Sequence, residues 1–259
     1  MNRRRPERLW IVRHGESAGN VARDAANAAG RSVIDIADRD VDVPLSPLGR
    51  EQSAALGDWF ADAPPDGRPT TIITSPYRRA RETSAIITER GGIDAHVPCV
   101  IDERLREREF GVLDRLTRLG IVERYPEQAE IRDRLGKFYH RPPGGESWCD
   151  VILRLRSVLA SVSLHYSEPG SRVLIVAHQV VVLCLRYLIE EMTEAEILAI
   201  DAEGEVANCG LTEYRLEMTR AEAGVEPLRL RLAAYNFVAP LQEAGTPVTA
   251  EPDVPAAPR

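Results

Sequence analysis

Three short apolar runs, separated by long stretches with helical periodicity, constrain the fold of this chain most strongly. They are "LWIV" at residues 9–12, "TIIT" at 71–74 and "RVLIVA" at 172–177. Short, uninterrupted and largely β-branched runs are typical of strands that are buried on both faces of a parallel sheet. The alternation therefore predicts an α/β fold with a buried, largely parallel sheet.

The intervening segments carry helix start signals. We expect Ser46 to cap a helix that begins at Pro47, and we expect Ser75 and Pro76 to repeat this arrangement. A third helix is predicted over "GGESWCDVILRLRSVLASVSLHY", which has apolar residues at helical spacing. The run "HQVVVLCLRYLIEEM" predicts a buried helix that opens at or near His178, although its apolar part also fits a strand.

The chain is expected to form one domain over residues 1–238. Two late strands are predicted over residues 212–218 and 228–237. From residue 239 the composition shifts to Pro, Ala, Thr and Glu, which predicts a disordered tail over 239–259.

The bulk composition excludes several classes of function. The net charge is −7 and the isoelectric point is near 5.4, so we expect no nucleic-acid partner. The apolar run after the basic N-terminus is too short for a signal peptide, and no window of about eighteen residues is wholly apolar, so no membrane partner is expected. The four cysteines lack metal or redox spacing and are expected to be reduced, as in a cytoplasmic protein.

Two of the predicted strands end in a histidine, in "LWIVRH" and "VLIVAH". Ligands of α/β sheets bind beyond the carboxyl ends of the strands, so His14 and His178 should face one crevice if the two strands are neighbours. Either histidine alone would more simply be a hydrogen-bonded structural group. Arg13 adds positive charge, and Gly15 is expected to let the backbone approach a ligand, which together predict a phosphate pocket.

The stretch "VRHGESAGN" resembles the signature of the histidine phosphatase superfamily, and further segments similar to that family follow in its order. They are "LSPLGREQ" at 45–52, "SPYRRARET" at 75–83, "LREREFG" at 105–111, "GGES" at 144–147 and "VLIVAHQ" at 173–179. The resemblance spans roughly residues 9–218. It implies the phosphoglycerate mutase-like fold, with three layers, α/β/α, around a central and mostly parallel sheet.

The resemblance also implies a site for phosphoryl transfer. His14 matches the family's nucleophile, which forms a phosphohistidine before water releases phosphate. Arg13, Arg79 and His178 match the groups that hold the phosphoryl oxygens. Arg79 fits the spacing "SPxxRAxxT" and is expected in the first helical turn, whereas its neighbouring arginines are expected to be solvated. Because these cations neutralise the phosphate, we expect neither a metal ion nor another cofactor.

A carboxyl group is needed to protonate the leaving alcohol, and the run "DERLREREFG" offers Asp102, Glu103, Glu107 and Glu109. As a charge run it would ordinarily be a solvated face. In the family the acid lies in the pattern "LxExxxG", which makes Glu107 the general acid and later the general base. We expect its pKa to rise close to a transferring phosphate.

Other polar residues match substrate-binding positions of the family. Ser17 and Asn20 match groups that reach phosphate oxygens, although turn or cap chemistry is the simpler reading of both. Gln179 and Lys137 match substrate contacts of the fructose-2,6-bisphosphatase domain, which this chain resembles most. Leu183 stands where that domain has an arginine, which argues against fructose-2,6-bisphosphate as the substrate and leaves other phosphorylated metabolites open.

The expected function is hydrolysis of a phosphate monoester of a small metabolite. The segment "EREFGVLDRLT" lacks the tyrosine-containing pattern of the cofactor-dependent mutases, which favours a hydrolase. Two alternatives stay open: mutase-type phosphoryl transfer, and a non-catalytic protein of the same fold that binds phosphate esters. The oligomeric state is also open, a homodimer included.

The segment 21–43 is longer than the family usually has at this place. It is either a plain surface insertion, which loops tolerate well, or an extension on the substrate side of the crevice. Its second half is acidic. If it folds over the crevice, it should disfavour polyanionic substrates and favour small monophosphates.

Overall fold

The structure is a computed structural model that describes residues 5–217, 220–221, 224–225 and 228–250. Its strands are β1 (Arg8–Arg13), β2 (Thr71–Thr74), β3 (Cys99–Ile101), β4 (Arg172–Ala177), β5 (Leu211–Glu217), β6 (Arg220–Ala221), β7 (Gly224–Val225) and β8 (Arg229–Phe237). Six of them form one sheet in the order β3-β2-β4-β1-β5-β8, and β6 pairs with β7. The first four strands in that order are parallel, and β5 and β8 are antiparallel to their neighbours.

Helices cover both faces of the sheet. They are α1 (Ala18–Ala28), α2 (Pro47–Asp62), α3 (Arg78–Arg90), α4 (Arg118–Arg124), α5 (Pro126–Tyr139), α6 (Trp148–His165), α7 (Gln179–Ile189), α8 (Glu194–Glu203) and α9 (Ala239–Glu243). Successive residues of a strand point to opposite faces. Accordingly, Leu9 and Ile11 join the hydrophobic cluster of α6 and α7, whereas Trp10 and Val12 join the cluster of α2 and α3. The predicted three-layer α/β/α fold is confirmed.

The helix starts show where local signals were sufficient. Ser46 accepts a hydrogen bond from the N–H of Gly49 and caps α2, as predicted. The predicted start at Ser75 and Pro76 is wrong, because α3 begins at Arg78. The Ser75 hydroxyl instead lies 2.7 Å from Nε2 of His178. The residue predicted to cap a helix therefore contacts a distant part of the chain.

The C-terminal segment differs most from expectation. The prediction of disorder from residue 239 is wrong over 239–250, because this segment forms α9 and packs on the sheet. Leu241 is fully buried in the cluster that contains Trp10 and Leu56. The burial of Leu241 and hydrogen bonds from Gln52 and Asn208 to Pro247 and Thr249 hold a stretch whose composition is otherwise polar and Pro-rich. Residues 251–259 lie outside the described residues, as does residue 218 of the predicted late strand.

No helix within the described ranges is long and apolar enough to cross a membrane. All four cysteines carry free thiols, and Cys184 and Cys209 are buried, whereas Cys99 is exposed on the edge strand β3. The expected single domain over 1–238 stays a prediction.

Candidate active site

The two histidines that follow β1 and β4 lie side by side. Arg13 pairs with Ala177 across the two parallel strands, so the residues after them are neighbours. The ring centroids of His14 and His178 are 5.1 Å apart, and both side chains are buried. The two predicted strand-end histidines therefore meet at the carboxyl edge of the sheet.

The imidazole of His14 is held in one tautomer. Its Nδ1 lies 2.7 Å from the carbonyl oxygen of Gly15, which can only accept, so Nδ1 carries the proton and Nε2 carries the lone pair. The Nε–H of Arg79 donates to that lone pair over 3.1 Å. Burial, helped by the charges of Arg79 and Arg13, holds the pKa of His14 well below its ordinary value. His14 is thus a neutral imidazole whose Nε2 is basic and oriented.

Three hydrogen bonds to backbone groups fix the segment that carries His14. Its N–H donates to the carbonyl of Ala177 at the end of β4 over 2.9 Å. Its carbonyl accepts from Nδ2 of Asn208 over 3.1 Å, and the N–H of Cys209 donates to the carbonyl of Arg13 over 3.0 Å. The guanidinium of Arg13 is buried and donates to the carbonyl of Val206. The loop before β5 therefore holds the end of β1 in place.

Gly15 has a different role from the predicted one. A Cβ at this position would lie 2.4 Å from the carbonyl oxygen of Gly49 in α2, which is too close for any side chain. The N–H of Gly15 donates to Oγ1 of Thr83 over 3.0 Å. The glycine lets the backbone approach α2 rather than a ligand, and the expectation that it serves the ligand is wrong.

His178 is completely buried behind His14. Its Nε2 lies 2.7 Å from Oγ of Ser75, and its ring is 5.1 Å from that of Tyr77. Burial, together with the charge of Arg79 and the neighbouring His14, lowers its pKa well below the ordinary value. Its Nδ1 has no hydrogen-bond partner in the described part of the chain.

Arg79 lies in the first turn of α3, as predicted, and its guanidinium packs 4.9 Å from the centre of the Tyr77 ring. Beyond its bond to His14 it donates to Asp40, through NH1 over 2.8 Å and NH2 over 3.3 Å. Arg78, by contrast, is half exposed and pairs with Glu82. The spacing "SPxxRAxxT" thus identified the arginine that contacts His14 in the folded chain.

A cleft of about 790 Å³, which includes space open to solvent, lies in front of His14. The charged and polar residues that line it include Arg13, Ser17, Asn20, Arg23, Asp38, Asp40, Arg79, Glu107, Asp114, Arg115 and Gln179. Of the four candidate acids, Glu107 is the one that lines this cleft in the described structure. Asp102 pairs with Arg104, and Glu109 accepts a hydrogen bond from the Tyr77 hydroxyl.

The family comparison agrees with this arrangement. The family model described as "Histidine phosphatase superfamily (branch 1)" matches residues 9–225. The chain belongs to the histidine phosphatase superfamily. Relatives named as phosphatases and as a phosphoglycerate mutase both match this chain.

Three relatives illustrate the range of this superfamily. The chain is 30% identical to a 6-phosphofructo-2-kinase/fructose-2,6-bisphosphatase from Gallus gallus over 73% of its own length, and it spans 34% of the length of that relative. It is 27% identical to a 2,3-bisphosphoglycerate-dependent phosphoglycerate mutase from Gloeobacter violaceus, with 75% of this chain and 81% of that protein covered. The structure of a mycobacterial glucosyl-3-phosphoglycerate phosphatase matches at a TM-score of 0.66 and 28% identity, with 90% of this chain and 99% of that chain covered.

Three helices of the histidine phosphatase fold begin at the cleft. Ser17, Tyr77 and His178 are the N-caps of α1, α3 and α7. The N-terminus of a helix carries partial positive charge and unsatisfied N–H groups, and both favour an anion. The N-termini of these helices and the buried guanidinium of Arg13 therefore place positive groups at the floor of the cleft.

The predicted substrate-binding residues separate into two groups. Ser17 and Asn20 line the cleft but also form a reciprocal cap of α1, in which Asn20 Oδ1 accepts from the Ser17 N–H over 2.8 Å. Gln179 lines the cleft, and Nε2 of its buried amide donates to Glu205. Lys137 does not line the cleft.

The ammonium of Lys137 is held elsewhere. It lies 2.6 Å and 2.8 Å from the two carboxylate oxygens of Asp201 and 5.2 Å from the centre of the Trp148 ring. Asp201 lies in α8, so this ion pair holds the Lys137 ammonium at α8 rather than at His14. The structure therefore does not bring this predicted contact to the site.

The segment 21–43 forms one wall of the cleft. Its first residues continue α1, and its middle part pairs with the loop that follows Glu107. The Ile34 N–H donates to the Arg115 carbonyl over 2.9 Å, and the Thr117 N–H donates to the Ser32 carbonyl over 3.1 Å. Asp38 and Asp40 then line the cleft. The segment thus lies at the cleft, and its role toward a substrate stays a prediction.

Three residues of the site were not identified from the sequence as part of it. Ser75 was assigned as a helix cap, and Asp40 was one of several acidic residues in the extension. Asn208 lies far along the chain from His14 and carries no local motif, so only the fold reveals its contact. Within the described ranges, no group of three or more His, Cys, Asp or Glu residues is placed to hold a metal ion.

Proposed function

We propose that the protein is a metal-independent phosphatase that hydrolyses a phosphate monoester of a small metabolite through a phosphohistidine on His14. The observation that carries the proposal is the neutral His14 imidazole, whose Nε2 lone pair is fixed beside Arg79 at the floor of the cleft. A neutral and oriented imidazole is a competent nucleophile, and the surrounding cations lower the energy of the transferring phosphoryl group.

In the first step, the Nε2 lone pair of His14 attacks phosphorus, and the bond between phosphorus and the ester oxygen breaks. Glu107 gives its proton to the departing alkoxide, so the alcohol leaves neutral. Arg13, Arg79 and the helix N-termini balance the charge of the equatorial oxygens. His178 Nδ1, which is buried without a described partner, would gain one in a phosphoryl oxygen.

In the second step, the Glu107 carboxylate takes a proton from water, and the water oxygen attacks the phosphohistidine. The bond between phosphorus and nitrogen breaks, and its electron pair returns to Nε2. Inorganic phosphate leaves, and both His14 and Glu107 recover their starting protonation states. Each turnover thus consumes one ester and one water.

The charges of the cleft support a substrate with one phosphate and an otherwise uncharged body. Four arginines line the cleft, namely Arg13, Arg23, Arg79 and Arg115, and four carboxylates face them, namely Asp38, Asp40, Glu107 and Asp114. Once a phosphate binds at His14, the remaining wall carries both signs. Such a wall suits hydroxyl groups better than a second phosphate.

The test is phosphate release from p-nitrophenyl phosphate and from a panel of phosphorylated metabolites, in the presence of EDTA. We expect His14→Ala to lower the rate by more than about 10³-fold. His165→Ala, which alters an exposed histidine at the end of α6, is the matched control and should retain the wild-type rate. Equal rates in wild type and His14→Ala would favour the non-catalytic binding protein. Transfer between phosphoglycerate isomers without phosphate release would favour the mutase.

A further inference from the structure

Asp40 accepts the hydrogen bonds of Arg79 that an anion bound at His14 would otherwise accept. It lies in a short turn, Asp40–Asp42, within the segment 21–43. NH1 of Arg79 donates to the Asp40 carbonyl over 2.7 Å and to its Oδ1 over 2.8 Å, and NH2 donates to its Oδ2 over 3.3 Å. The remaining Nε–H donates to His14. All three nitrogens of this guanidinium are therefore engaged within the protein.

This ion pair is unequal. The Arg79 side chain is 7% exposed and is fixed by Tyr77 and His14, whereas the Asp40 side chain is 46% exposed at the cleft. Asp40 can leave for water at little cost, but Arg79 cannot, because a buried charge without a partner is strongly unfavourable. A phosphate that reaches His14 offers the same guanidinium a more highly charged partner.

We propose that Asp40 is a built-in competitor of the substrate phosphate, which must displace the Asp40 carboxylate from Arg79 before it can bind. This inference rests on the proposed role of Arg79 as a phosphate ligand. The displaced carboxylate remains at the rim of the cleft, since Arg115 holds the adjoining residues through the carbonyls of Ile36 and Asp38. There it repels any second anionic group of the substrate, which makes Asp40 a residue that determines specificity.

The test is the affinity of inorganic phosphate, measured by calorimetry on the full chain. Asp40→Asn removes the charge and keeps the shape, so we expect phosphate to bind at least about fivefold more tightly, because the competing charge near Arg79 is gone. Asp42→Asn is the matched control. Asp42 lies in the same turn but pairs with Arg39, so its variant should bind phosphate within about twofold of wild type. Asp40→Ser should change the affinity in the same direction as Asp40→Asn.

Other results would overturn the inference. Unchanged affinity in Asp40→Asn would mean that Asp40 does not compete, and weaker binding would mean that it orients Arg79 for phosphate. Absence of phosphate binding in both wild type and Asp40→Asn would also refute it.

A second measurement separates this inference from the proposed function. Hydrogen exchange of residues 38–43 should increase when phosphate saturates the wild-type protein, and should already be high in free Asp40→Asn. Neither readout requires turnover. Tighter binding in Asp40→Asn without any hydrolysis would refute the proposed function alone, whereas hydrolysis with unchanged affinity and exchange would refute the competition alone.

Discussion

Oγ1 of Thr249 lies 2.9 Å from Oδ1 of Asn208, the residue whose Nδ2 donates to the carbonyl of His14. The same hydroxyl accepts a hydrogen bond from Gln52, whose Oε1 accepts from the N–H of Glu16. One threonine near the described end of the chain thus supports both sides of the segment that carries the candidate nucleophile.

We predict that Thr249→Val lowers kcat by roughly three- to tenfold and changes KM little, because the loss of about 1 kcal/mol of hydrogen bonding would loosen His14 rather than the phosphate ligands. Thr246→Val is the control, since Thr246 lies in the same segment and is similarly buried. Steady-state kinetics and denaturant unfolding check the prediction. If Thr249→Val lowers stability but leaves kcat unchanged, the threonine is only structural.

Ser75 should position His178. Removal of its hydroxyl leaves Nε2 of a fully buried imidazole without its 2.7 Å partner. We predict that Ser75→Ala lowers kcat by about tenfold or more, because a misplaced His178 holds the phosphoryl group poorly. Ser84→Ala, which alters another buried serine that bonds within α3, should keep kcat near that of wild type. Equal kinetics in the two variants would contradict this role.

Lys137 and Gln179 should differ in their effect on substrate binding. Gln179 lines the cleft, so Gln179→Leu should raise KM roughly fivefold by the loss of a polar contact. Lys137→Met should leave KM unchanged but lower the free energy of unfolding by about 1–3 kcal/mol, because Asp201 loses its partner. Kinetics and urea unfolding of both variants test this pair of outcomes. A raised KM in Lys137→Met would restore Lys137 as a substrate contact.

The pH dependence of the rate should report on His14. Because burial and two arginines lower its pKa below the ordinary 6.5, His14 stays neutral through neutral pH. We predict that kcat/KM does not fall with a midpoint near 6.5 and that its acid limb lies at lower pH. A pH profile with a substrate whose own phosphate pKa is known checks this. A limb at 6.5 that shifts with substitution of His14 would contradict it.

A histidine outside the site should make the fold sensitive to acid. Burial, with nearby Arg132 and Arg108, lowers the pKa of His140 to about 4. Between pH 6.5 and about 4, the unfolded chain binds a proton here and the folded chain does not. This group's contribution to the free energy of unfolding therefore falls with decreasing pH, by up to about 1.4 kcal/mol per pH unit. Urea unfolding of His140→Gln should show a smaller decrease in the free energy of unfolding between pH 6.5 and 4 than the wild type shows. If the two proteins have the same dependence on pH, His140 is not the origin of the effect.

Much of the fold could be predicted from the sequence because its signals are local. The apolar runs that became β1, β2 and β4 are buried on both faces, which the absence of polar alternation indicates directly. Ser46 and Pro47 begin α2 through contacts within one turn of helix. His14 and His178 could be paired because each follows a strand, and parallel neighbours bring their carboxyl ends together.

Contacts between distant segments could not be predicted in this way. Composition indicated disorder after residue 239, but the burial of Leu241 in the core outweighs it over 239–250. Gly15 was read as facing a ligand, whereas its missing side chain makes room for Gly49. These outcomes depend on which surfaces meet, and no short window of sequence contains that information.

The layers of the fold and the two strand-end histidines could be predicted from short segments, because periodicity and residue type are local properties, whereas Arg79 and Glu107 were implied by the resemblance to the family. How those groups are held depends on contacts that form only in the folded chain. The tautomer of His14, the support from Asn208 and the contact of Asp40 with Arg79 each join residues far apart in the chain. Such contacts exist only once the packed core has fixed the relative positions of the strands and loops.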